Sequence, residues 1–136
     1  MNARDIINGL AAKGRQGASA VEFALILAFI LAPLTVAVID FGQIIHAKYV
    51  ITRAAREGAM ASIRGGSAQS VVDAYLTDAG LDPGFSTITV QNAGGERGTA
   101  AIVQVTYDYG EMVVIPWKDI TDVVPSPLVA KAEARN

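Results

Sequence analysis

Seventeen consecutive uncharged residues, Phe23 to Ile39 (FALILAFILAPLTVAVI), constrain this 136-residue chain more than any other feature. Extended back to Ala18, the stretch is twenty-two residues long and holds one charge, Glu22. A helix of that length, rising ~1.5 Å per residue, measures roughly 33 Å and crosses a hydrocarbon layer ~30 Å thick. Burial in a soluble core is the other use for such a run, but the rest of the chain is too small to enclose it. Residues 18–39 are therefore expected to span a membrane, with Asp40 closing the segment. Residues 1–17 carry Arg4, Lys13 and Arg15 against Asp5. That positive flank predicts a cytoplasmic N-terminus, a single pass, and export of everything beyond Asp40.

Helical periodicity continues past the apolar run. Phe41, Ile44, Ile45, Thr52, Ala55, Ala59 and Ile63 recur at spacings near three and four, with Arg53, Glu57 and Arg64 on a different face. One helix from about Ala18 to Ile63 is predicted, apolar in its first half and amphipathic over residues 40–64, with a break at Gly65-Gly66. Pro33 costs it one backbone hydrogen bond and is expected to kink it. Ser67 reads as the N-cap of a second helix, Ala68 to Ala79, stopped at Gly80. After Asp82-Pro83-Gly84 the period changes to two. Ser86 to Asn92 and Thr99 to Tyr109 alternate on either side of a glycine-rich turn, which predicts a β-hairpin. Leu128 to Arg135 alternates as well and is read as a third strand, although its alanines equally suit a helix. Residues 110–127 are left open between extended and loosely helical. The resulting fold class is α+β: a long N-terminal helix on a small antiparallel sheet, with residues 65–136 forming a small exported domain.

Composition narrows the chemistry. Eleven Lys and Arg against thirteen Asp and Glu leave a net charge of −2, and 51% of residues are hydrophobic. That balance argues against a nucleic-acid partner. With no cysteine and a single histidine, His46, neither a thiolate metal site nor a Ser/His/Asp triad is easily built. Asp73, Asp78 and Asp82 do not follow calcium-loop spacing. The glycines of residues 94–98 lie between strands, away from the helix N-terminus a phosphate site needs. No enzyme activity, cofactor or metal is expected. Arg53 and Glu57, four apart, are expected to pair on the helix surface. Tyr107, Tyr109 and Trp117 are expected to cover the sheet or to form an adhesive or subunit-binding patch.

Glu22 is the anomaly, because a carboxylate in the first turns of a membrane helix is costly. It either snorkels to the head groups or serves a purpose. The segment Gly17-Ala18-Ser19-Ala20-Val21-Glu22-Phe23 resembles the processing site of type IV pilin-like precursors. There a glycine precedes the cut and a glutamate is the fifth residue of the mature chain. With Ile39-Asp40-Phe41-Gly42 and Ala54-Ala55-Arg56-Glu57-Gly58-Ala59 downstream, the resemblance is to the TadE-like family of minor pilins or pseudopilins of tight-adherence (Flp-type) pili.

The resemblance implies that an inner-membrane prepilin peptidase removes residues 1–17 by cutting between Gly17 and Ala18, with Glu22 and Phe23 as processing and assembly residues. A cut there creates an ammonium at Ala18, which Glu22 of a neighbouring helix can neutralise within an apolar bundle, setting the axial register. Ala18, Ser19, Ala20, Ala24, Ala28 and Ala32 would allow close helix approach. Asp40, Arg53, Arg56 and Glu57 are the expected contacts with other pilin or pseudopilin subunits and the pilus assembly platform. Two alternatives remain. One is a secreted binding module with a signal cut after Ala37; the other is an uncleaved anchor carrying a periplasmic domain.

Overall fold

Helix α1 runs from Ala3 to Ile63 without interruption, so helical backbone begins well before Ala18. The computed structural model describes residues 3–92, 98–115 and 125–135, with side chains from Gly17 onward. The chain divides into two units, residues 1–38 and 39–136.

In the first unit every described side chain from Gly17 to Thr35 is exposed. Phe29 is 83% exposed, and leucines, isoleucines and valines surround it on all faces. α1 is thus long and apolar enough to cross a membrane, and none of that apolar surface is buried within the chain. It continues through Pro33, and the Thr35 hydroxyl donates to the Leu31 carbonyl at 2.8 Å.

The second unit packs the latter part of α1 and helix α2 (Ala68–Asp78) on one face of a three-stranded antiparallel sheet. Its strands are β1 (Ser86–Gln91), β2 (Ala100–Tyr107) and β3 (Leu128–Arg135), in the order β1-β2-β3. Leu128 to Arg135 is a strand because its even positions meet the inward face of β2. Val105 pairs with Ile88 and Ala130, and Val103 with Val90 and Ala132. β2 ends two residues short of Tyr109. The Asp108 carboxylate accepts the Gly110 N–H at 2.9 Å and turns the chain there. The expected hairpin turn at residues 93–97, and Trp117 within 116–124, lie outside the described residues.

α1 stops at Ile63 as predicted and α2 one residue earlier than predicted, at Asp78, both by one mechanism. At the end of α1, Gly66 and Gly65 donate to the carbonyls of Ala61 and Ser62, and Gly65 takes φ +78°. At the end of α2, Leu81 and Gly80 donate to Leu76 and Thr77, and Gly80 also takes φ +78°. These are Schellman closures, in which a left-handed residue turns the next two N–H groups back onto the helix's orphan carbonyls. Leu81 and Leu76 are both buried, supplying the apolar contact that accompanies the motif. Ser67 caps α2, its hydroxyl accepting the Ser70 N–H at 3.3 Å.

The buried stripe of α1 differs from the expected one. Ile44, Ala47, Val50, Ile51, Ala54, Ala55, Gly58 and Ala59 face the core, whereas Phe41 and Ile45 point outward. Ile44, Val50 and Ile51 fill the earlier part of this face, and small residues take over from Ala54 to Ala59, where Gly58 meets Val72 of α2 and Val103 of β2. Among the buried polar atoms described, the Ser62 hydroxyl has no hydrogen-bond partner.

Tyr107 and Tyr109, expected as sheet cover or an adhesive patch, are core residues, each 1% exposed. Burial pushes both phenols above their ordinary pKa. A hydrogen bond involving Asp82 partly offsets the effect at Tyr107, and one with Ser126 does so at Tyr109. A raised folded-state pKa means the native chain holds the phenolic proton more tightly than the unfolded chain. The associated stability is complete below the unfolded value of about 10 and is lost as pH rises through the folded value. Unfolding free energy measured from neutral to strongly alkaline pH is expected to fall above pH ~10. Tyr107→Phe and Tyr109→Phe are each expected to flatten that fall; an unchanged slope in both would contradict this origin.

Candidate processing and assembly surfaces

Gly17, Ala18, Glu22 and Phe23 all lie on α1 and are exposed. A Cβ placed on Gly17 would meet nothing within 4 Å, so the fold itself makes no demand for glycine at this position. Glu22 sits one turn past Ala18, and among the described residues its carboxylate has no ion-pair partner. Phe23 is exposed beside it. The arrangement is an accessible backbone at 17–18 with an unpaired acid nearby on an apolar helix.

Asp40, expected as a subunit contact, is instead fully buried at 0% exposure. Its two carboxylate oxygens accept the backbone N–H groups of Val114 at 3.1 Å and Ile115 at 2.9 Å. The acid that closes the apolar run is thus a clamp, fixing the chain after β2 to the start of the second unit's helix. The partners lie more than seventy residues away, and both are backbone groups, so side-chain patterning carried no signal for them.

Arg53, Arg56 and Glu57 are exposed, as a contact surface requires. They line a shallow pocket of about 340 Å³ with Met60 and Tyr75. The expected Arg53–Glu57 ion pair is not formed among the described residues. The Arg53 guanidinium lies 5.0 Å from the centre of the Tyr49 ring. A hydrogen bond with Tyr75 and the nearby tyrosines hold its proton still more firmly than usual. Tyr49 stands one turn before Arg53, a helical spacing that could have revealed the stacking. Tyr75, on α2, had no such signal.

Beneath this surface, Ala54, Ala55, Gly58 and Ala59 are packed inward. A Cβ on Gly58 would come within 2.8 Å of Val72 Cγ2 on α2 and 3.5 Å of Val103 Cγ1 on β2. The Ala-Ala-Arg-Glu-Gly-Ala segment therefore has two sides. Its small residues seat the helix on the sheet, and its charged residues face outward. His46 is exposed, with Nε2 3.4 Å from the Ala79 carbonyl.

No curated protein and no solved structure matches the chain. The family model described as TadE-like protein matches residues 17–60. The match starts at the accessible glycine and takes in the Asp40 clamp and the Gly58 junction. Over residues 17–60 the chain is similar to the TadE-like family, the same segment that carries the resemblance in the sequence.

Proposed function

We propose that this chain is a minor pilin or pseudopilin of a tight-adherence pilus, cut after Gly17 by a prepilin peptidase and acting by helix packing, with no chemistry of its own. The family match over residues 17–60 supports a role in tight-adherence pilus function. The observation that carries the finer reading is the pairing of Gly17, which no neighbour constrains, with Glu22, exposed and unpaired on an apolar helix. Glycine lets extended backbone approach a protease's catalytic carboxylates closely. After cleavage, the Ala18 ammonium and the Glu22 carboxylate of an adjacent subunit neutralise each other among apolar helices, where either charge alone would be costly. The exposed alanines of residues 18–32 allow close approach. In this reading the N-terminus is cytoplasmic, the helix spans the inner membrane, and the second unit is periplasmic until assembly.

N-terminal sequencing of the mature protein tests the cut. Ala18 is the expected first residue; Val38 would indicate a secreted module and Met1 an uncleaved anchor. A cut after Ala37 would leave the unit beginning at Ile39 whole, so correct folding does not separate the readings. Gly17→Leu is expected to accumulate full-length precursor in the membrane. Glu22→Gln is expected to be processed but to enter filaments poorly, and normal incorporation of that variant would refute the pairing.

A further inference from the structure

Asp40 ends the uncharged run in the sequence, yet it does not end the apolar surface of the folded chain. Its carboxylate is buried and satisfied by Val114 and Ile115, so it presents no charge outward. On one outward face of the helix that follows stand Phe41, Ile45 and Tyr49, four apart and 37%, 67% and 58% exposed, with Gly42 and His46 exposed beside them. Phe41, Ile45 and Tyr49 line an open groove of about 620 Å³ with Pro125 and Leu128, and Lys48 stands among them. From Phe41 to Arg56 the chain carries Lys48, Arg53 and Arg56 and no acidic residue.

We infer that this face rests on a phospholipid bilayer, so that the lipid-contacting surface of the chain ends at Lys48 and Tyr49 and not at Asp40. The inference rests on the membrane-spanning reading above. From Ile39, the last residue of the uncharged run, to Ile45 the helix rises roughly 9 Å, less than two turns, an extension that a bilayer accommodates locally. Lys48 and Tyr49 then fall at headgroup level. An amphipathic ring is stable there; the Lys48 ammonium donates to the Val129 carbonyl at the edge of the groove and keeps further N–H groups for phosphate. Arg53 and Arg56 follow on the water side, where anionic headgroups still attract them.

The absence of cysteine makes every introduced cysteine a unique labelling site. Nitroxides are attached at Phe29→Cys, Ile45→Cys, Tyr49→Cys and Arg56→Cys in the full chain, reconstituted in vesicles of phosphatidylcholine and phosphatidylglycerol. Collision with dissolved oxygen is compared with collision with a water-soluble nickel chelate. Ile45 is exposed, so its replacement leaves the core intact. The oxygen-to-nickel ratio is expected to be several-fold higher at residue 45 than at residue 56, with residue 49 between them. A ratio at 45 equal to that at 56 overturns the inference. So does weak collision with both reagents at 45, because protein would then cover the groove. An aqueous ratio at residue 29 would instead refute the membrane reading itself.

Discussion

Asp40→Ala is expected to destabilise the second unit by about 3–5 kcal/mol, because it strands the N–H groups of Val114 and Ile115. Hydrogen bonds to a charged acceptor contribute about 1.5–3 kcal/mol each, and a buried donor without a partner bears its full desolvation cost. Domains of this size are stable by only about 5–15 kcal/mol, so the variant would stand near the edge of folding. Asp40→Asn keeps one acceptor oxygen and turns an amide toward the second N–H, so an intermediate loss is expected. Urea unfolding of the full chain in detergent, followed by near-ultraviolet circular dichroism, measures both. An Asp40→Ala midpoint equal to that of the unaltered chain would remove the clamp from the account. The test also bears on the family segment, since it separates a structural role for this acid from a role in contacting subunits.

Gly58→Leu is expected to cost about 3 kcal/mol or more, because the site has no room even for a Cβ. The nearest obstacle is Val72 Cγ2 at 2.8 Å, on a side chain that is fully buried and β-branched. A valine in a helix has one strongly preferred χ1 rotamer, so it cannot swing aside cheaply. Gly58→Ala sets two effects against each other. Alanine gains about 1 kcal/mol of helix propensity over glycine, while overpacking costs about 1–3 kcal/mol. A net loss of up to ~2 kcal/mol is expected. Pairing Gly58→Ala with Val72→Ala should recover part of that loss, giving a favourable coupling energy in a double-mutant cycle. Strictly additive losses would place the strain elsewhere.

Local signals in the sequence specify the ends of its elements. Gly65 and Gly80 end their helices because a left-handed residue is a local requirement that glycine meets best. Ser67 caps α2 by a bond to a residue three positions on. β3 was legible because alternation survives in a strand that has only one buried face. The inner face of α1 was not. Phe41 and Ile45 are large apolar side chains at the start of the second unit's part of α1, and hydrophobicity alone assigns them inward. The inner face is a mixed stripe in which Ile44, Val50 and Ile51 are buried beside alanines, and only around Gly58 is there no room for a larger side chain.

What the sequence determined alone follows from chain-local physics: a membrane-length apolar helix, its amphipathic extension, two glycine stops, and strands of period two. What tertiary structure decided is the use made of polar groups whose partners lie far along the chain. Asp40 became a clamp and not a boundary, Arg53 turned to Tyr49 and Tyr75 and not to Glu57, and Tyr107 and Tyr109 entered the core. The reason is the same in each case. A buried polar group must find a partner, and an aromatic ring must find cover, wherever the fold brings one near. That meeting depends on separation in space, which no local spacing records.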